Sequence, residues 1–103
     1  MDDLRNSIDL ARLSIQRALL GEVSSRLRAV VFSLSERALN ASFYFDGPIT
    51  PDDAESASRV ETEIIADCAS DFIVAVNTIR LDAPEPVNDD GVWVYQCRES
   101  TYD

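Results

Sequence analysis

With 103 residues, 46% of them hydrophobic, the sequence holds one domain, residues 1–103, able to bury about two-thirds of its surface without disulfide or metal support. Its nineteen Asp and Glu face nine basic residues, all Arg, for a formal charge of -10, and both His and Lys are absent. Those absences remove imidazole acid–base catalysis, lysine Schiff bases and P-loop phosphate binding, while the charge disfavours nucleic acids and anionic membrane surfaces as partners.

From about Asp3 to Leu20, Leu4, Ile8, Ala11, Ile15, Ala18 and Leu19 recur at three- and four-residue spacing, which predicts an amphipathic helix. Asp2 and Asp3 suit its positive end, and Gly21 follows as a C-terminal stop. Leu10, Leu13 and Leu20 fall on a second stripe, readable as core or as an interface. Leu27–Leu34 reads as a strand, and Leu39–Phe45 alternates as a second, joined to it through Ser35-Glu36-Arg37 as a hairpin with more than a two-residue turn. Thr50-Pro51-Asp52-Asp53 is a strong helix start, with a cap, a proline in the first turn and carboxylates at the positive end. That helix runs to about Cys68, with Ala54, Ala57, Ile64, Ile65 and Cys68 on its apolar face and Val60 at the margin. Phe72–Leu81 and Val92–Cys97 are two further strands. The polar link from Asp82 to Gly91, with Pro84 and Pro86, makes them a wide antiparallel hairpin.

The order helix, hairpin, helix, hairpin (αββαββ) predicts an α+β fold: a two-layer sandwich with two helices on a four-stranded, mainly antiparallel sheet, its strand order open. No segment approaches the roughly 20 apolar residues of a membrane span, and the acidic start is unlike a secretory signal, so a cytoplasmic location is expected. Cys68 and Cys97 then read as reduced, buried thiols.

Catalytic patterns are missing. Asp52, Asp53 and Glu55, and separately Asn88, Asp89 and Asp90, lack the spacing of a calcium loop, and two distant cysteines without His make no zinc site. A glycosidase-like carboxylate pair needs a sugar-sized cavity that so small a sheet hardly provides. The chain is therefore read as a non-enzyme without metal or cofactor. What stands out is the distribution of charge: residues 1–45 balance at +1 and residues 46–103 at -11. Two segments concentrate it: Asp46, Asp52, Asp53 and Glu55 around the second helix start, and Asp82, Glu85, Asp89 and Asp90 in the proline-containing loop, flanked by Asp67 and Asp71. Together they form a candidate docking surface for a basic protein, where opposite charge raises the association rate. The alternative is a structural or regulatory module that self-associates, or binds a host protein, through the Leu10, Leu13 and Leu20 stripe.

Several stretches spread over most of the chain carry a family likeness: Arg17-Ala-Leu-Leu-Gly-Glu-Val23, Phe43-Tyr-Phe-Asp-Gly47, Glu55-Ser-Ala-Ser58, Glu63-Ile-Ile-Ala-Asp67, Ile79-Arg-Leu-Asp82 and Pro84-Glu-Pro86. In these the chain resembles small acidic bacterial immunity proteins of the contact-dependent inhibition and polymorphic-toxin kind. The resemblance implies a protein that binds and neutralises a cognate toxin domain delivered by neighbouring cells. Toxin nucleases are commonly basic, so the acidic second half adds the expectation, from charge, of a basic, nuclease-like partner blocked by steric and electrostatic occlusion.

Overall fold

The computed structural model describes residues 8–68 and 71–97. Six elements follow in the expected order: α1 (Ile8–Ala18), β1 (Leu27–Leu34), β2 (Ala38–Phe45), α2 (Pro51–Ala66), β3 (Ile73–Arg80) and β4 (Val92–Gln96). The sheet order is β3-β2-β1-β4. β1 is antiparallel to both β2 and β4, whereas β2 and β3 run parallel over all eight residues of each.

The sheet is thus mixed, which corrects the mainly antiparallel expectation. The second hairpin does not exist. α2 serves as the crossover of a β2–α2–β3 unit, the kind of long connection that parallel neighbours need. β3 and β4 end up on opposite edges pointing the same way, so residues 81–91 must travel across the sheet rather than turn back. The first hairpin is as expected, with Leu34 paired to Leu39 across residues 35–38 and the Ser35 amide donating to the Ala38 carbonyl at 2.8 Å.

One face of the sheet meets the helices. Val30 and Phe32 of β1 and Leu39, Ala41, Phe43 and Phe45 of β2 join Ala11, Ile15, Val60 and Ile64 in a continuous buried cluster. Val60, assigned to the margin, is fully buried at the centre of the Ala57–Val60–Ile64 face, and Ile65 is turned outward. Ile8 is also exposed; Leu4 lies outside the described residues. The two helices run antiparallel, clipped at one end by the Ser14 hydroxyl donating to Asp67 at 2.7 Å and at the other by Arg59 on Glu22.

The second face explains why β1 is buried on both sides. Ala29 and Val31 point away from the helices, yet they are as buried as the core: Gly91 lies against Val31, Trp93 pairs beside it, and Asp89 is bonded to Tyr44, the strand neighbour of Ala29. Gly91 is required there: a Cβ would lie 2.7 Å from the Phe32 carbonyl oxygen and 2.8 Å from Val31 Cγ1. The longest apolar run in the sequence, at β3, instead forms an edge strand with Ile73 exposed.

Candidate functional site

The acidic segments are held in place by their own side chains. At the end of the sheet where β2 and β3 finish, the Gly47 amide donates to Asp82 Oδ1 at 2.8 Å and the Ala83 amide donates to Asp46 Oδ1 at 3.1 Å. This exchange ties the turn after β2 to the start of the crossing loop. Arg80 grips Asp82 with two further bonds of 3.0 Å, and together with the Gly47 amide it holds the Asp82 carboxyl below its usual range. Gly47 adopts φ +90°, a backbone state open to glycine at little cost.

Arg26 organises the same end from beneath. Its guanidinium donates to the carbonyls of Asp46 and Pro48, lies 5.8 Å from the Phe45 ring centroid and forms an ion pair with Asp53. Asp53 is only 6% exposed, so it departs from the expected docking surface. A carboxylate at this position closes a capping box: the Asp53 amide donates to Thr50 Oγ1 and the Thr50 amide donates to Asp53 Oδ2. Burial pushes the Asp53 carboxyl up, but the Thr50 amide and the Arg26 guanidinium outweigh it, leaving the pKa lowered. A depressed folded pKa gives stability that is complete above the unfolded value and lost as pH falls through the folded one. Asp53→Asn should therefore flatten the acid side of the stability–pH curve, below about pH 4, the ordinary carboxylate range. Asp53→Ala should cost about 2 kcal/mol near neutral pH, a cap and part of an ion pair, moderated because Arg26 is one-third exposed and keeps access to water. Chemical denaturation across pH measures both effects.

The crossing loop is pinned at its far end. The Tyr44 hydroxyl donates to Asp89 Oδ2 at 2.7 Å, the Gly91 amide donates to Asp89 Oδ1 at 2.9 Å, and Trp93 Nε1 donates to the Asp89 carbonyl at 3.0 Å. Burial, then the bond to Asp89, pushes the Tyr44 phenol up to about 12. Asp89 is thus a structural tether. Tyr44→Phe should cost about 1 kcal/mol and accelerate amide exchange around Asp89–Gly91 while sparing the β1–β2 amides, a pattern that exchange NMR resolves.

The remaining expected residues separate by place and by engagement. Asp67 and Asp71 lie at the opposite end of β2 and β3 from Asp46 and Asp82, about 23 Å away at the rise of an eight-residue strand. Asp67 accepts from Ser14 and pairs with Arg17, Asp71 is also engaged, and Glu55 pairs with Arg59. Asp52, Glu85 and Asp90 are exposed, and among the described residues none is paired through its carboxylate. The ten carboxylates therefore form two ends and a tethered loop rather than one continuous patch.

One residue was missed by sequence reasoning. Arg28 sits at a bulge in β1, only 4% exposed, and donates to the Leu81 carbonyl at 2.6 Å, anchoring the loop where it leaves β3. The available signal was an arginine interrupting the apolar run Leu27-Arg28-Ala29-Val30-Val31-Phe32.

A cleft of about 340 Å³ lies between the helices, lined by Arg17, Leu20, Glu22, Glu55, Arg59 and Glu63 among others. Two of its carboxylates, Glu22 and Glu55, clasp the same guanidinium, and Arg59 holds Glu22 below its usual range. They brace the helix pair. Of the Leu10, Leu13 and Leu20 stripe, Leu10 packs on the core while Leu13 and Leu20 are exposed, so it is not one surface. Among the described residues, no group of three acidic or cysteine side chains is placed to hold a metal ion, and no helix is long and apolar enough to cross a membrane.

The class this fold defines is the small two-layer α+β domain with a mixed sheet and a strongly acidic second half. The MafI2 immunity protein family matches residues 9–99, nearly the whole chain, and the chain belongs to that family. It is thus an immunity protein of the polymorphic-toxin type, and its partner is a cognate toxin. No curated protein matches the sequence.

Proposed function

We propose that this immunity protein neutralises a basic, nuclease-like toxin domain, delivered by neighbouring cells, by occupying in the cytoplasm the surface on which that domain binds its polyanionic substrate. The observation that carries this reading is the -11 balance of residues 46–103, with Asp52, Glu85 and Asp90 unpaired among the described residues on a frame fixed by the Asp46–Asp82 exchange and the Asp89 tether. A fixed frame lowers the ordering cost of binding, and unpaired carboxylates steer a cationic partner toward it. Asp46, Glu55 and Asp82 add to the field from the same end of the sheet. Asp53 supports that end from inside. Catalysis has no part in the mechanism: the toxin is blocked by occlusion.

Self-association is the less favoured reading, since two copies each carry a charge of -10 and repel. The test of function is co-expression with the cognate toxin domain. Growth should be restored and a one-to-one complex recovered; restored growth with no complex would rule out occlusion.

A further inference from the structure

Among the sheet edges, β3 stands out. β4 has five residues and a bulged register against β1, whereas β3 has eight residues in unbroken register with β2 and, among the described residues, nothing paired on its other side. The amides of Ile73 and Leu81 donate to the Arg37 and Phe45 carbonyls, next to and at the end of β2. Strand alternation then turns the backbone of Val74, Val76, Thr78 and Arg80 outward. Among the described residues only one of those outward amides is satisfied: Val76 donates to Glu61 Oε2 at 3.0 Å. A long edge blunted by one carboxylate remains a template for another strand. Above it, α2 presents Ala54, Ala57 and Ser58, and with Val76 and Thr78 they enclose a groove of about 230 Å³, room for side chains of an added strand.

We propose that an extended, basic segment of the toxin domain adds to the outer edge of β3 as a fifth strand, displacing Glu61 from Val76 and pairing a Lys or Arg with the released carboxylate. This rests on the reading of the chain as a toxin-binding immunity protein and specifies where and how it binds. Charge selects the occupant. A symmetric pairing of two β3 strands brings two Glu61 carboxylates into one seam between molecules of charge -10, while a cationic strand is attracted to the same place. β3 also leads directly into Asp82 and Glu85, so a strand laid along it continues onto the acidic end.

The test is amide hydrogen exchange by NMR on the full chain, alone and with one equivalent of the toxin domain recovered in co-expression. Binding should slow exchange at Val74, Thr78 and Arg80 by tenfold or more, with little change at Ala75 and Asn77, which already face β2. Thr78→Pro removes an outward donor and leaves the β2 ladder intact, as edge positions allow, and should weaken the complex by tenfold or more. If that variant does not fold, the wild-type exchange pattern decides. A complex in which the three outward amides are unchanged would overturn strand addition and leave the immunity function standing. Absence of any complex would overturn both. Slowed exchange at those amides in the protein alone, rising with its concentration, would assign the edge to a second copy and overturn the proposal.

Discussion

Replacing Phe43 by Ala is expected to remove about 3–5 kcal/mol of stability, the range for deleting a buried aromatic ring. Phe43 is 1% exposed, pairs with Val30 across β1 and Thr78 across β3, and its ring centroid lies 6.5 Å from that of Phe45. It therefore joins the three longest strands to the helix layer, and no neighbour can collapse into the gap without breaking a strand register. Domains of this size have total stabilities of about 5–15 kcal/mol, and each kcal/mol shifts Tm by roughly 4–8 °C, so the expected fall is roughly 12–40 °C. Phe43→Leu retains most of the volume and should cost far less. Ile73→Ala is the matched control: the side chain is 64% exposed on the edge strand, and its removal should change stability by less than about 0.5 kcal/mol. Thermal and urea unfolding of the three variants measures the contrast.

The second large effect is kinetic. Reversing Asp52, Glu85 and Asp90 together to Arg should slow association with the toxin domain on the order of 10- to 100-fold at low salt and reduce its salt dependence. The three are chosen because, among the described residues, none of their carboxylates is paired. Asp82 would be a poor choice, since it anchors the Gly47 turn and Arg80, and its reversal would disturb structure and charge at once. Asp52 sits in the first turn of α2, so its reversal also costs about 0.3–1 kcal/mol through the helix dipole. Stopped-flow association rates over a salt series, with folding checked by melting, separate the two contributions. An unchanged rate would remove these carboxylates from the docking surface.

Some of this structure is legible residue by residue. The start of α2 follows from Thr50, Pro51 and Asp53 because capping is local: the donors and acceptors lie within one turn. The β1–β2 hairpin follows from alternation on both sides of a short polar turn. The pairing of β3 does not, because a run such as Ile73-Val-Ala-Val76 is equally suited to a parallel or antiparallel neighbour, and the choice is made by where α2 returns the chain. The loop from 81 to 91 reads as a wide turn until Arg28, Tyr44 and Trp93 are seen to draw it across the sheet. The same limit applies to the acidic surface. Sequence marks Asp53 and Asp89 as acidic, but their partners, Arg26 and Tyr44, stand 27 and 45 residues away, and only the fold shows that these two carboxylates are structural.

The central claim, neutralisation by occlusion, is tested most directly by titrating a fixed amount of toxin domain with the immunity protein while following both toxin activity and its binding to substrate. Activity is expected to fall linearly to zero at one equivalent, with substrate binding lost in step. A stable one-to-one complex in which the toxin still binds its substrate would contradict the claim.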